Sequence, residues 1–359
     1  MPNKCPACGT MYGDDARFCT RDGSKLSPAP QAPAGGAAAP RGTAARTGSL
    51  GPAPTTSFSN LNGRVLDARY RVDKKVGEGG MSFVYMATDV SDKKNYAIKV
   101  LSPSLSQDNN AMQRLRREAG LAIRLEHPNV CHIIRLGETE DGMVYVVMPF
   151  VQGEILADLR HKKGHIPLAQ VAIWVTEISS GLHVAHELKI IHRDLKPENV
   201  MITKYADGSE HAVVMDFGLA KERKAGGELE KLTATGIILG TPEFMSPEQL
   251  RGKPLDPRTD IYSLALMTYE MLTGKLPFTG RTQQEMMIAR LRNEPIPLRT
   301  MRPELNFPPA VEKVLLKGMA RSADERYATA PEFASAFAAA ASPDGDDKSA
   351  GVLGRLFGR

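Results

Sequence analysis

Two short polar strings in the second half of the chain limit what it can fold into. The first runs from His192 to Asn199 and reads HRDLKPEN, and the second runs from Met215 to Gly218 and reads MDFG. Together they contain two aspartates, a lysine and an asparagine. Carboxylate and amide oxygens are the hard ligands that suit Mg²⁺, and a lysine beside them balances negative charge. We therefore expect a fold that brings both strings to one site.

A glycine-rich segment lies upstream of these strings. It runs from Gly77 to Val84, reads GEGGMSFV and separates two apolar runs that predict strands. Its glycines allow a hairpin backbone to fold closely over a phosphate. Ser82 stands where the third glycine of a G-x-G-x-x-G pattern would be. Taken alone, such a segment is more often an ordinary turn.

Lys99 ends the next apolar run, which reads YAIK. A lysine at the end of a buried strand needs a carboxylate or a phosphate as a partner. Glu118 is the candidate, because it lies in the helical pattern AMQRLRREAGLAIRL. Taken separately, the two residues are also explained by a strand lysine that reaches solvent and by a solvated helix face.

In this order and spacing, the motifs resemble those of the protein kinase family, and within it the bacterial Ser/Thr kinases whose glycine-rich loop carries serine at this position. The resemblance covers about residues 62–340. It implies an α+β, bilobal protein kinase fold, with a β-rich N-lobe at 61–150 and an α-helical C-lobe at 151–340. The apolar pattern agrees, since alternating strand runs give way to long helical patterns after residue 165.

The resemblance also implies roles for individual residues. Asp194 accepts or orients the proton of the substrate hydroxyl, Lys196 balances charge near the γ-phosphate, and Lys99 holds the α- and β-phosphates while pairing with Glu118. Predicted cofactors are ATP with Mg²⁺ or Mn²⁺, and the metal ligands are Asn199 and Asp216. The predicted ATP contacts are Gly77, Glu78, Gly79, Gly80, Met81, Ser82, Val84, Ala97, Lys99, Met148, Pro149 and Val151.

The string GTPEFMSPE, residues 240–248, supports a protein substrate, and Lys196 together with Thr241 favours serine and threonine as acceptors. Ser246 replaces an alanine of the family pattern. The segment between Asp216 and Glu248 contains the expected phosphorylation sites Thr233, Thr235 and Thr241, of which Thr241 is assigned a structural role.

Other matches predict support for the site. Asp260 is expected to hold the catalytic-loop backbone, Arg326 to pair with Glu248, and His192 to pack against Phe217. An Asp-Gly pair within KYADGSEH predicts a hairpin turn.

The amino terminus carries a separate pattern in residues 1–27. Cys5, Cys8, Cys19 and Asp22 have the spacing of a zinc ribbon in which aspartate replaces the fourth cysteine, so they predict one Zn²⁺ site. A decayed ribbon without metal is the alternative. Residues 28–60 are rich in Pro, Ala and Gly and predict a disordered linker, and residues 341–359 form a polar tail with a short amphipathic end.

Composition excludes few classes of protein. The formal net charge of +5 is spread along the chain, so no nucleic-acid partner is expected, and a ribbon partner would be a protein. No signal peptide or transmembrane run is evident, and a cytoplasmic location is expected. The alternatives to an active kinase are a pseudokinase or scaffold, and a zinc-ribbon binding module regulated by the kinase domain. The sequence leaves the substrate, the activating signal and the oligomeric state open.

Overall fold

The structure is a computed structural model that describes residues 3–4, 11–12, 27–28, 60–79, 82–101, 109–217 and 242–342. The chain divides into two compact units, Met1–Thr55 and Thr56–Arg359. In the first unit, β1 (Asn3–Lys4) pairs antiparallel with both β2 (Met11–Tyr12) and β3 (Ser27–Pro28). The four predicted zinc ligands, the linker at 29–59 and the tail from 343 lie outside the described residues.

The second unit begins with a β-rich lobe. Its sheet has the order β4-β5-β6-β7-β9-β8, and every neighbouring pair is antiparallel. In the described part of the lobe, helix α1 (Asn109–Ala122) accompanies the sheet. The strands are β4 (Val65–Leu66), β5 (Tyr70–Gly79), β6 (Ser82–Asp89), β7 (Asn95–Leu101), β8 (Arg135–Glu138) and β9 (Val144–Pro149).

Burial along these strands explains their order. Over the last five residues of β6, buried and half-buried side chains alternate, as expected for a strand with one face on the core. The residues of β7 and β9 are almost all buried. Tyr70, Tyr85 and Tyr145 fill the core of the lobe. Gly137 on β8 makes room for the ring of Tyr145, because a Cβ atom there would lie 2.3 Å from Tyr145 Cζ. The β-rich N-lobe predicted from the sequence is thus confirmed.

Helices dominate the second lobe. Helix α5 is buried along nearly its whole length, as expected for a helix surrounded by other elements. Among the described residues, no helix has the length and apolarity to span a membrane. The helices are α2 (Leu156–Lys163), α3 (Leu168–Glu187), α4 (Pro247–Leu250), α5 (Arg258–Thr273), α6 (Gln283–Arg292), α7 (Leu298–Met301), α8 (Pro309–Gly318) and α9 (Ala330–Ala341).

A small sheet positions the two polar strings. Its strands are β10 (Glu154–Ile155), β11 (Val200–Lys204) and β12 (Glu210–Val214). The first string ends where β11 begins, and the second string begins where β12 ends. Because β11 and β12 are antiparallel neighbours with Val200 opposite Val214, both strings emerge at the same edge. The predicted turn is confirmed, since Gly208 has φ 83° and the Asp207 side chain accepts from Ser209 N at 2.9 Å.

Candidate active site

The loop between α3 and β11 places Asp194 in a small polar network. Asn199 Nδ2 donates to the main-chain oxygen of Asp194 at 2.7 Å and to its Oδ2 at 3.1 Å. Lys196 Nζ lies 3.5 Å from the same Oδ2. These bonds orient one oxygen of the carboxylate, and they leave the amide oxygen of Asn199 as the atom suited to a cation.

Asp260, at the start of α5, holds the backbone of this loop. It is fully buried and accepts from His192 N at 2.8 Å, Arg193 N at 2.9 Å and His186 Nε2 at 2.8 Å. Burial opposes its ionisation, but the bond from His186 and the charges and amides around it outweigh burial and lower the pKa of Asp260. The predicted role of Asp260 is therefore confirmed, while His186 is a partner that the sequence analysis missed.

His192 connects the two polar strings. Its Nε2 lies 2.8 Å from the Met215 carbonyl oxygen and must donate to it, so Nδ1 is the acceptor for Asp194 N at 3.3 Å. The ring of His192 packs edge-on against Phe217, with centroids 4.8 Å apart, as predicted. Asp216, between Met215 and Phe217, adopts φ 59°, a conformation that costs energy in a residue other than glycine.

Lys99 approaches the site from β7. It is 5% exposed, and its Nζ lies 2.8 Å from Asp216 Oδ1. The expected pair with Glu118 differs in this structure, because Glu118 Oε1 lies 3.8 Å from Arg193 Nη1 instead. The structure thus contains two ion pairs, Lys99 with Asp216 and Arg193 with Glu118, and each joins a residue of the β-rich lobe to one of the helical lobe. Which cation takes which carboxylate depends on the placement of α1 and is not encoded in the motif spacing.

A compact apolar cluster lies beside Lys99. Ala97 and Met148 face each other in the β7–β9 register, and Cys131 and Val213 complete the buried set. The partly buried side chains packed against it are those of Val84, Phe150, Val151, Met201 and Met215. Four of the predicted ATP contacts, Val84, Ala97, Met148 and Val151, are thus brought together.

Cys131 is a member of this cluster that the sequence analysis did not assign. Its Sγ lies 3.7 Å from the carbonyl oxygen of Pro149, another predicted ATP contact. Burial, and secondarily the charge of Asp216, raises the pKa of the Cys131 thiol to about 12. Cys131 is therefore a packing residue, not a nucleophile, near neutral pH.

The glycine-rich segment forms the expected hairpin between β5 and β6. Gly77 pairs with Val84, Glu78 with Phe83 and Gly79 with Ser82. A register shift between Lys75 and Gly77 bends the strand shortly before the turn. Gly80 and Met81, at the tip, lie outside the described residues.

After Phe217, the described residues begin again at Pro242. Thr233, Thr235 and Thr241 lie outside the described residues. Ser246 begins α4 with a capping box, in which its Oγ accepts from Gln249 N and its own N–H donates to Gln249 Oε1. Serine at this position therefore stabilises α4. Gln249 Nε2 also donates to Arg193 O at 2.7 Å, which ties α4 to the catalytic loop.

Arg326 and Glu248 form the predicted ion pair. Two parallel bonds of 2.7 and 2.8 Å join them, and Thr259 Oγ1 donates to the same carboxylate at 2.9 Å. Burial alone would raise the pKa of Glu248, but the Arg326 bonds outweigh it, and the pKa is lowered. The Arg326 pair ties α4 to the segment that precedes α9, and the Thr259 bond ties α4 to the start of α5.

The cation chemistry of the site rests on few side chains. Among the described residues, no group of three or more His, Cys, Asp or Glu side chains is arranged to hold a metal ion. Asn199 and Asp216 supply hard oxygens from the two polar strings, and phosphate oxygens of a nucleotide would complete such a shell. The donor set fits a Mg²⁺ that is bound together with its nucleotide.

The sequence is similar to those of several curated bacterial proteins. The sequence is 36% identical over 271 residues to serine/threonine-protein kinase pkn3 of Myxococcus xanthus, an alignment that covers 76% of this chain and 50% of that protein. It is 39% identical over 278 residues to pkn2 of the same organism, covering 77% of this chain and 33% of that protein. PknB of Mycolicibacterium smegmatis is 36% identical, with coverage of 74% and 42%. The chain thus spans half or less of the length of these relatives.

Solved structures agree with the sequence matches. The kinase domain of Mycobacterium tuberculosis PknI superposes with a TM-score of 0.62 at 27% identity, covering 78% of this chain and all of that domain. The profile of the protein kinase domain matches residues 70–335, nearly the whole region that carries the site. With its bilobal fold and its two polar strings at one edge, the chain belongs to the protein kinase family.

Proposed function

We propose that this chain is an active serine/threonine protein kinase of bacterial signalling, which transfers the γ-phosphoryl group of Mg-ATP to protein hydroxyls. The observation that carries the proposal is the network of Asp194, Lys196 and Asn199 at the edge where Asp216 and Lys99 also meet. In phosphoryl transfer the protein mainly positions the reactants and neutralises charge, and these residue types serve those purposes.

Each side chain has a distinct task in this proposal. Asp194 orients the acceptor hydroxyl and takes its proton, and Lys196, 3.5 Å away, neutralises charge beside it. Lys99 holds the α- and β-phosphates, and Asn199 and Asp216 hold Mg²⁺ or Mn²⁺. A bound metal ion would neutralise phosphate charge. Lys99 pairs with Asp216 in this structure, and when Mg-ATP is bound Asp216 would instead hold the metal and Lys99 the phosphates.

The pseudokinase alternative would be favoured by loss of one of the catalytic side chains. Lys99, Asp194 and Asp216 are all present and lie at one site. The matched relatives are longer proteins, so protein substrates for this chain are proposed from its own site and not taken from those relatives. The predicted cytoplasmic location would supply ATP and a reducing environment.

Phosphate transfer from γ-labelled ATP to a generic protein substrate tests the proposal. The wild type should produce phosphoserine and phosphothreonine in the presence of Mg²⁺. Asp194→Asn and Lys99→Met should each lower the rate by roughly 10²–10⁴-fold while the thermal unfolding midpoint stays close to that of the wild type. A rate within about threefold of wild type for either variant would contradict the assigned roles.

We also propose that phosphorylation of Thr233 or Thr235, by the chain itself, activates it. The geometry around Arg193 supports this, because its Nη1 is 3.8 Å from Glu118 and its Nε is buried without a hydrogen-bond partner in the part of the chain that the structure describes. A phosphate on the segment before Pro242 would supply acceptors for such a guanidinium. Mass spectrometry of the active protein should find this segment phosphorylated, and an active protein with an unmodified segment would rule the idea out.

For the amino-terminal segment we propose one Zn²⁺ held by Cys5, Cys8, Cys19 and Asp22, in a module that recruits a protein partner. The spacing of the four residues supports it, and so short a segment cannot bury enough apolar surface to fold without metal. Metal analysis of the full chain, purified under reducing conditions, should find one zinc per chain. Asp22→Cys should retain the zinc and Asp22→Ala should weaken its binding, with the kinase rate nearly unchanged. A metal-free wild type would refute the site.

A further inference from the structure

Arg290 on α6 is a buried cation for which the proposed reaction has no direct use. It is 1% exposed. Its Nη1 donates to two carbonyl oxygens, that of Pro242 at 2.5 Å and that of Met245 at 3.0 Å. Among the described residues, no carboxylate lies within ion-pair distance of Arg290, and its Nε has no hydrogen-bond partner.

A buried guanidinium without a paired carboxylate is costly. Burial lowers the pKa of Arg290, and electrostatic interactions with Tyr262 and then with Glu243 act in the other direction without outweighing it. Part of its surroundings is apolar, because Met245, Leu250 and Met287 form a buried cluster beside α6. A methionine would fill this space without burying a charge. What methionine would not supply is the pair of hydrogen bonds to the two carbonyls.

Those carbonyls belong to the stretch that leads into α4. Pro242–Phe244 is a single 3₁₀ turn, too short to be stable by itself. Ser263 Oγ donates to Phe244 O at 2.8 Å, so side chains of α5 and α6 together hold three carbonyls of residues 242–245. The whole stretch is thereby fixed against the helical lobe.

The same stretch is connected to the catalytic loop. It leads into α4, where Gln249 Nε2 donates to Arg193 O, and Arg193 immediately precedes Asp194. A shift of residues 242–245 would therefore change the surface next to the base, on the side where residues 240–248 are expected to support the protein substrate. Among the described residues, the hydrogen bonds of Arg290 go to the carbonyls of Pro242 and Met245 and none goes to Asn199 or Lys99, so we expect the nucleotide side to be unaffected.

We propose that Arg290 is a positioning residue for the protein substrate, which fixes residues 242–245 as the platform on which the acceptor segment lies beside Asp194. This inference rests on the proposed kinase function. It assigns Arg290 no contact with the reacting atoms. Its signature is a selective effect on the protein or peptide substrate, with ATP binding unchanged.

Steady-state kinetics with peptide and ATP varied separately test this role. The variants are Arg290→Met and Arg290→Lys, with Arg292→Met as the control, because Arg292 is an exposed arginine on the same helix. Arg290→Met should raise the peptide KM by about tenfold or more, as expected for the loss of hydrogen bonds from a charged donor. The ATP KM and the rate of ATP hydrolysis without peptide should stay within about twofold.

The conservative variant separates positioning from simple stabilisation. A lysine ammonium still donates hydrogen bonds, so Arg290→Lys should recover part of the peptide affinity, and Arg292→Met should behave as wild type. A peptide KM within about twofold of wild type in Arg290→Met would overturn the proposal. So would parallel losses in both KM values and in ATP hydrolysis. If Arg290→Met does not fold, Arg290→Lys and Ser263→Ala decide by the same criteria. A wild type without any transfer would instead refute the kinase proposal.

Discussion

The two sides of the active site are held in different ways. On the helical side, the loop that carries Asp194 rests on Asp260, which is fully buried and accepts three hydrogen bonds. On the β-rich side, Lys99 reaches the site through an ion pair with Asp216 at 2.8 Å, and Glu118 through one with Arg193 at 3.8 Å.

The helical side of the active site is therefore a preorganised half, and the β-rich side is an adjustable half. Removing a buried carboxylate that accepts from two backbone N–H groups leaves those groups unpaired, which costs free energy. The Arg193–Glu118 pair, whose side chains are 37% and 30% exposed, is weak and exchanges partners at little cost, and Asp216 is the exposed member of the pair with the buried Lys99. We infer that the acceptor side is built before the nucleotide arrives, whereas the phosphate side takes its final arrangement with the nucleotide.

The largest expected effect comes from removing the buried carboxylate on the helical side. Asp260→Ala leaves the amides of His192 and Arg193 and the ring of His186 without their acceptor, so the free energy of unfolding should fall by about 3–5 kcal/mol. Denaturant titration measures this. Asp324→Ala is the control, since Asp324 pairs with Arg258 at the surface and its loss should cost less than about 1 kcal/mol. Equal losses in the free energy of unfolding for the two variants would mean that Asp260 does not stabilise the loop that carries Asp194.

Glu270 on α5 sharpens the comparison, because it is a poorly compensated carboxylate on the helical side. It is 8% exposed, and within the described ranges its Oε2 has no hydrogen-bond partner. Burial raises its pKa to about 7; Arg160, 3.4 Å away, opposes that rise, and Glu198 and Glu243 add to it. Ionisation of Glu270 therefore costs stability in the folded state.

The sign of the pH dependence follows from that raised pKa. Below about pH 4.5 the carboxyl is protonated in both folded and unfolded chains, and it carries no penalty. As the pH rises towards about 7 the unfolded chain ionises first, so the wild type should lose stability relative to Glu270→Gln, by at most about 3 kcal/mol. Urea titrations of both proteins between pH 5 and 8 measure the difference. A difference that does not change over this range would contradict the raised pKa.

The smallest effect on stability is expected from the adjustable half. Glu118→Gln removes a charge that lies 3.8 Å from Arg193, and the free energy of unfolding should change by less than about 1 kcal/mol. If Glu118 exchanges to Lys99 when the nucleotide binds, the transfer rate should nevertheless fall by about tenfold. Arg116→Gln, on the exposed side of the same helix, is the control. A variant with wild-type transfer would remove Glu118 from the catalytic set.

Much of this site could be predicted from sequence because its key residues lie in continuous motifs. The polar strings identified Asp194, Asn199 and Asp216, and the order of apolar runs identified the two lobes. Gln249 and Arg290 were missed because they act on backbone oxygens of distant segments, a contact that leaves no motif. The Lys99–Asp216 pair was missed because partner choice depends on tertiary placement.

The claim that the helical side is preorganised and the β-rich side is adjustable is tested most directly by hydrogen exchange. The amides to follow are those of the loop that carries Asp194, in the free and in the nucleotide-bound protein. The amides of His192 and Arg193 donate to the buried Asp260 carboxylate, so they should be strongly protected in the free protein and change little when Mg-ATP binds. Strands β5 and β6 and helix α1 should gain protection on binding. Rapid exchange of the His192 and Arg193 amides in the free protein, with protection only after nucleotide is added, would contradict the account.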